Sequence, residues 1–349
     1  MTATEFEGLN RVPLSITPHN RKDFTSDQEV RWCPGCGDYA VLATFQSMAA
    51  NLGIKRENTV IVSGIGCSSR FPYYVDSYGM HSIHGRAPAI ATGVALSRPD
   101  LNVWVVTGDG DALSIGGNHL IHALRRNVNM TILLFNNRIY GLTKGQYSPT
   151  SELGKVTKST PYGSLDTPFN PVSLALGAEA SFVARSIDSD RKHLTEVLTA
   201  AAEHRGTSLV EIYQNCPIFN DDAFATLKGP EGTLISLVHG EPIIFAGGEH
   251  CVVRTPDGQI KVAKTAEVDQ ASIVVHDETR EDPSQAFALS RLTEPGLLRQ
   301  APIGIFRRVP RPAYDDLVRE QIDTVRADDP AAALASVIAG NDTWEADER

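Results

Sequence analysis

Asn102-Val-Trp-Val-Val106, Thr107-Gly-Asp-Gly-Asp111, Ile115 to Asn127, then Met130-Thr-Ile-Leu-Leu-Phe135 and Asn136-Asn137 form the stretch that decides the fold. The first run is apolar throughout, as a strand covered on both faces must be. Ile115 to Asn127 carries the spacing of an amphipathic helix. Met130 to Phe135 is a second apolar strand. Strand, helix and strand within about forty residues make a βαβ unit, so its two strands run parallel.

The pattern extends in both directions. Thr59-Val-Ile-Val-Ser63 reads as another buried strand, stopped by Gly64-Ile-Gly66-Cys67. His84-Gly85-Arg86 opens a small-residue helix, Ala87 to Ser97, with Pro88 in the first turn where proline is tolerated. Asp38 to Leu52 places Val41, Leu42, Phe45, Met48 and Leu52 on one helical face. It follows a tight loop, Cys33-Pro-Gly-Cys36-Gly37. Residues 172–206 read as further strand and helix. Ser208 to Tyr213 is a fourth apolar strand, with Asn215-Cys216-Pro217 just beyond it. The fold class is therefore α/β, a mostly parallel sheet with helices on both faces.

Three stretches organise the chain. Residues 1–30, polar and punctuated by Pro13 and Pro18, form an arm on the surface. Residues 31–230 hold the α/β domain. From 231 to 349 the texture changes to a C-terminal extension: hairpin-like runs at Glu241 to Ala246 and Cys251 to Val262, a helix near Ser284 to Leu292, and a helical tail beyond Pro310 and Pro312. This extension carries no chemical signature and reads as packing or subunit contact.

Composition narrows the function. The 349 residues, 42% of them hydrophobic, suffice for one large α/β domain with an extension. The formal net charge of −10 and the lack of a basic block argue against nucleic acid. No run reaches the length of apolar chain that spans a membrane. Met1 to Asn10, with Glu5 and Glu7, is not a signal peptide, so a cytoplasmic protein is expected. Five cysteines, an odd and small number, suit free thiols or metal thiolates better than disulfides.

The polar residues then fall into place. Cys67, Asp109, Asn137 and Cys216 each stand just past a predicted strand's C-terminal end. In an open parallel sheet those ends share one rim, and ligands bind there. Gly108-Asp109-Gly110-Asp111 lets backbone N–H groups approach phosphate closely at a helix start. Asp109 offers magnesium a hard oxygen, and Asn137, one strand over, offers a second. A Gly-Asp-Gly triplet alone is weak. Joined to an Asn-Asn pair across a βαβ unit, it is the fingerprint of enzymes that bind thiamine diphosphate. The rival is an Asp that caps a helix beside a buried Asn pair.

Cys33 and Cys36 form a C-x-x-C pair in a Pro-Gly turn, and Cys67 and Cys216 end strands at the same rim. Four thiolates suit tetrahedral zinc or a [4Fe–4S] cluster, and spacing does not separate them. Chemistry favours the cluster. Decarboxylating a 2-oxoacid leaves electrons on the thiamine cofactor. Iron–sulfur accepts them one at a time, whereas zinc accepts none. Cys251 reads as an ordinary buried thiol.

Trp32-Cys33-Pro-Gly-Cys36-Gly37, Gly64-Ile-Gly-Cys67-Ser68, His84-Gly-Arg86, Gly108-Asp-Gly-Asp111, Asn136-Asn-Arg-Ile-Tyr-Gly141-Leu142-Thr143 and Asn215-Cys-Pro217 stand in order. Together they resemble the β subunits of 2-oxoacid:ferredoxin oxidoreductases, most closely the 2-oxoglutarate type of actinobacteria. The resemblance is strong over 25–225 and looser to about 315. It implies that Asp109, Asn137 and the Ile139 carbonyl hold Mg2+. Ile65, Gly66, Cys67, Ser68, His84, Gly85, Gly110, Asp111, Gly141 and Leu142 would line thiamine diphosphate. Cys33, Cys36, Cys67 and Cys216 would hold a [4Fe–4S] cluster. Arg70 and Leu142 match substrate-recognition positions, and His84 and Arg70 are the catalytic candidates. An arginine at 70 could pair with the second carboxylate of 2-oxoglutarate through two parallel hydrogen bonds.

The resemblance also implies partners. An α subunit would supply the aminopyrimidine-binding domain and most of the coenzyme A site, in an α2β2 heterotetramer. The 2-oxoacid and coenzyme A are substrates, and ferredoxin takes the electrons. The rivals are a pyruvate-type β subunit, a non-oxidative thiamine enzyme with a structural metal, and a cysteine-metal subunit without thiamine. The chain runs further past 315 than short β subunits do.

Overall fold

The computed structural model describes residues 7–228, 233–293 and 298–344. Its centre is an eight-stranded sheet in the order β2-β1-β3-β4-β6-β5-β11-β7. The strands are β1 (Thr59–Ser63), β2 (Tyr78–His81), β3 (Asn102–Gly108), β4 (Met130–Asn136), β5 (Phe182–Ile187), β6 (Thr207–Tyr213), β7 (Thr233–Leu237) and β11 (Gln300–Arg308). A three-stranded antiparallel sheet joins β8 (Ile244–Phe245), β9 (His250–Arg254) and β10 (Ile260–Lys264). The helices are α1 (Asp38–Asn51), α2 (Phe71–Tyr74), α3 (Ala87–Ser97), α4 (Asp109–Leu113), α5 (Gly117–Arg126), α6 (Pro171–Gly177), α7 (Arg191–Glu203), α8 (Ser284–Ser290), α9 (Tyr314–Val325) and α10 (Pro330–Ala339).

Strands β1 to β6 pair in parallel, so their C-terminal ends share one rim. Alternation then splits each strand between two cores. Ile61, Trp104, Val106, Leu133, Phe135 and Ile212 pack under α1 and α7. Val60, Val62, Val103, Val105, Ile132 and Leu134 pack under α3, α5 and α6. Both faces are covered, which is why these strands read as unbroken apolar runs.

Three strands escape the sequence reading. β2 is an edge whose four residues are all exposed, so it has no apolar signature. β7 and β11 come from beyond residue 230 and extend the main sheet past β5. β11 contains Pro302, a residue that interrupts ladders. Here the ladder to β5 begins only at Gly304, so no N–H is required of Pro302 on that side.

The extension also feeds the core, through Ile243, Phe245, Val252 and Leu289. α9 anchors by the buried Asp315, which accepts from the Asn129 N–H at 3.0 Å and meets Arg319 at 2.9 Å. Apart from the half-buried Ala333, the residues of α10 are exposed, Leu334, Val337 and Ile338 among them. The N-terminal arm sinks Leu9, Val12 and Phe24 into the protein. Among the described residues no helix is long and apolar enough to cross a membrane.

Candidate functional site

Two hollows open on the rim. The first lies between the ends of β1, β3 and β4. Of the residues assigned to thiamine diphosphate, Ile65, Gly66, Cys67, Ser68, His84, Gly110, Asp111, Gly141 and Leu142 border it. So do the three magnesium candidates, Asp109, Asn137 and Ile139. Its enclosed space is about 100 Å³, and it opens to the surface. Gly85 stands outside it. Its N–H donates instead to Asp111 Oδ1 at 2.8 Å.

Asp109 is 3% exposed. Burial lifts its carboxyl to about 6, although hydroxyls of Ser148 and Thr150 pull the other way. Both hydroxyls stand 2.5 Å from the same oxygen, Oδ2. A buried carboxylate at this rim suits a cation. Asn137 Oδ1 accepts from the Ile139 N–H at 3.1 Å, so the two residues share one tight turn. Arg138 between them has φ of 58°, a left-handed backbone that a bulky residue adopts only under constraint. Ser148 and Thr150 had no signal in the sequence reading beyond a Ser-Pro-Thr-Ser run in a long irregular connection.

The helix expected over Ile115 to Asn127 begins two residues later, behind a separate short segment. Asp109 to Leu113 form one five-residue segment, and α5 starts afresh at Gly117. The rim therefore offers backbone N–H groups more than a long helix dipole. Gly110 is required by its neighbour: a Cβ there would overlap the Tyr140 ring, whose hydroxyl donates to the Gly110 carbonyl at 2.9 Å. Asp111 turns inward. Its Oδ2 accepts from Thr107 Oγ1 at 2.7 Å, and Gly64 leaves it room. His84 Nδ1 lies 2.6 Å from Asp111 Oδ1 but without hydrogen-bond direction, and 41% of its side chain faces solvent.

The second hollow holds about 220 Å³ and is bordered by Cys33, Cys36, Cys67 and Cys216. The C-x-x-C turn closes with Cys36 N–H donating to the Cys33 carbonyl at 3.0 Å. It is tied to the end of β6 by Gly37 N–H and the Asn215 carbonyl, 3.1 Å apart. Trp32 Nε1 donates to the Cys67 carbonyl at 2.7 Å, and Gln214 Nε2 approaches Cys36 Sγ at 3.3 Å. A Cβ on Gly141 would stand 3.5 Å from Cys67 Sγ and 3.7 Å from Cys216 Sγ. Burial pushes the Cys67 thiol up to about 11, with the Asp38 charge adding to it, and pushes Cys36 higher still. Such thiols become thiolates only beside a metal or another cation. Asp38 is buried next to Cys36, whose thiol is the side chain that favours its carboxylate. Cys251 is buried in β9, away from this pocket.

Arg70 borders the sulfur pocket and not the first hollow. Its Nη1 donates to the Arg31 carbonyl at 3.0 Å. Leu142, Gly141, Asn137 and Cys67 border both hollows.

Known proteins resemble this chain in sequence and fold. Residues 64–212 match the family described as thiamine pyrophosphate enzyme, C-terminal TPP binding domain. The 2-oxoglutarate oxidoreductase subunit KorB of Mycobacterium tuberculosis is 65% identical over 341 residues, 96% of this chain and 91% of that protein. The 2-oxoglutarate synthase subunit KorB of Archaeoglobus fulgidus is 47% identical over 186 residues, 53% of this chain and 69% of that protein. Among solved structures, a chain of the 2-oxoglutarate:ferredoxin oxidoreductase from Magnetococcus marinus, with 2-oxoglutarate, coenzyme A and succinyl-CoA bound, superposes with a TM-score of 0.76. It is 35% identical, and the match covers 94% of this chain and 99% of that one. The thiamine-binding α/β fold read from the sequence is thus the fold found, and the chain belongs to the family of 2-oxoglutarate oxidoreductase KorB subunits, the β subunits of 2-oxoacid:ferredoxin oxidoreductases.

Proposed function

We propose that this chain is the β subunit of a 2-oxoglutarate:ferredoxin oxidoreductase, which converts 2-oxoglutarate and coenzyme A to succinyl-CoA and carbon dioxide and passes two electrons to ferredoxin. The observation that carries it is the pair of adjoining hollows, one bordered by Asp109 and Asn137 and one by four cysteines, with Cys67 on both.

Asp109, Asn137 and the Ile139 carbonyl would hold Mg2+, and the backbone around Gly108 to Asp111 would cradle the diphosphate. When bound, thiamine diphosphate would supply the carbanion chemistry of decarboxylation. The chain's residues set the stage for it. Asp111 anchors the Gly85 turn and stands beside His84, which keeps the imidazole at the open side of the cleft. Leu142 forms an apolar surface between the two hollows. Arg70, just past it, would meet the distal carboxylate of a dicarboxylic substrate.

Cys33, Cys36, Cys67 and Cys216 would bind the [4Fe–4S] cluster. Among the described residues no three His, Cys, Asp or Glu side chains converge tightly enough for a single metal ion. A hollow of about 220 Å³ bordered by all four sulfurs has room for a multi-atom cluster.

The first hollow opens to the surface, where a partner subunit would complete it. Tyr78, Met80, Ile83 and Ile115 are exposed near its His84 side, an apolar border that suits an α subunit. The family resemblance implies an α2β2 assembly in the cytoplasm, and the proposal includes both. The test is coexpression with that subunit, anaerobic purification, and coenzyme-A-dependent dye reduction with a panel of 2-oxoacids. The proposal requires iron, labile sulfide, thiamine and the highest kcat/KM for 2-oxoglutarate. Preference for pyruvate would reassign the substrate, and a colourless, iron-free enzyme would remove the cluster.

A further inference from the structure

Asp109 is held by more than its own turn, where the backbone N–H groups of Asp109 and Gly110 favour its carboxylate. Ser148 and Thr150, from the connection between β4 and α6, bring their hydroxyls to one oxygen of it. All three side chains are buried. The same short turn grips the facing strand end. Arg138 Nε donates to the Thr150 carbonyl at 3.1 Å, and Ser151 Oγ donates to the Arg138 carbonyl at 2.6 Å. The turn is braced internally by Ser148 N–H on Ser151 Oγ at 2.8 Å, and by Ser151 N–H on the Ser148 carbonyl at 3.0 Å.

Thr150 Oγ1 also lies 2.8 Å from Asn136 Oδ1. A hydroxyl has one hydrogen, so it serves one of the two acceptors. An ionised carboxylate at 2.5 Å is the stronger one. Asn136 Oδ1 keeps the Arg138 N–H at 3.2 Å. Both hydroxyl hydrogens therefore converge on Asp109 Oδ2. That oxygen is saturated by side chains, which leaves Oδ1, with no side-chain hydroxyl on it, as the freer one for a cation.

We propose that Ser148-Pro149-Thr150-Ser151 is the positioning turn of the magnesium site: it makes Asp109 a one-oxygen ligand and fixes it against the Asn137-Arg138-Ile139 turn of the next strand. This rests on the reading that magnesium and thiamine diphosphate occupy the cleft. Ser148 and Thr150 touch no reacting atom. Their effect runs through Asp109, as the outer partners of metal ligands usually act.

The experiment uses the enzyme copurified with its partner subunit and stripped of cofactor with a chelator. Thiamine diphosphate is held at fixed concentration while magnesium is titrated, and binding is followed by tryptophan fluorescence. Thr150→Val keeps the shape and loses the hydroxyl. Its magnesium midpoint should rise about tenfold or more, as loss of an outer partner does at other metal sites. Thr150→Ser, which restores the hydroxyl, should return the midpoint to within about threefold of wild type on the same scale. Ser148→Ala, an independent variant should Thr150→Val fail to fold, should move the midpoint in the same direction. A wild-type midpoint in Thr150→Val or in Ser148→Ala overturns the inference. So does a Thr150→Ser enzyme as impaired as Thr150→Val, because shape and not the hydroxyl would then matter. Wild-type enzyme that binds thiamine diphosphate without regard to magnesium overturns the parent reading and this one with it.

Discussion

Asp109 carries a penalty in the metal-free chain. Its carboxyl sits near 6 because burial outweighs its hydroxyl bonds. A carboxyl raised on folding costs nothing below its ordinary value, where both states are protonated. The cost grows as pH climbs from there through about 6. At neutral pH it amounts to about 3 kcal/mol. Asp109→Asn removes that cost and also the anionic ligand. The stripped variant should melt a few degrees above stripped wild type at pH 7.5, the gap should close by pH 4, and thiamine diphosphate should no longer be retained. Thermal scans at the two pH values with a thiamine assay check this; a variant melting below wild type at pH 7.5 refutes it. Asp109, Asn137 and the cysteines were legible because each ends a strand or sits in a tight turn, where local pattern marks them. Ser148 and Thr150 were not, because their partner lies about forty residues away and only the folded loop brings them together.

Among elements, the strands buried on both faces were read almost to the residue. β1 is Thr59–Ser63 in both readings, and β4 gains only Asn136. β2 was invisible because an exposed edge has no apolar pattern to show, and β11 because Pro302 and Gly304 interrupt it. The junction of β3 and α4 makes a test of close packing. Gly110→Ala must displace the Tyr140 ring and its bond to the Gly110 carbonyl. It should cost about 1–3 kcal/mol alone and markedly less in a Tyr140→Ala background. Urea unfolding of the four proteins of that cycle measures the coupling, and strict additivity would contradict the contact. At the other strand end, Cys67→Ser should erase the visible iron–sulfur band while thiamine diphosphate stays bound. A full-strength band in that variant would reassign the ligand.

For the whole molecule, the change of texture after residue 230 read as an extension, yet two of its strands complete the main sheet. Nothing local encodes a crossover that inserts β11 between β5 and β7. A buried network explains the union. Arg185 Nε donates to Glu211 Oε2 at 2.6 Å, and Glu211 Oε1 accepts from Asn136 Nδ2 at 2.7 Å. Arg185 Nη1 reaches the Pro302 carbonyl in β11 at 3.2 Å. The extension is thereby wired to the residue beside Asn137. Glu211→Gln strands the Arg185 charge and should cost about 3–5 kcal/mol of stability, read as a shifted denaturation midpoint. Among the described residues, removing the chain beyond Val325 takes away only α10 and its flanks, exposed apart from Ala333, so cofactor content and melting temperature of the α–β complex should hold.

Cys67 belongs to both hollows, and its partners in that wall are Asn137, Gly141 and Leu142. A single layer of protein thus stands between the place where charge would be generated and the place where it would be stored. No swinging domain and no diffusing carrier is needed for that crossing, so the first electron should hop at a rate indifferent to solvent viscosity. Slowing by glycerol or sucrose should appear only at ferredoxin exchange, where two proteins must meet.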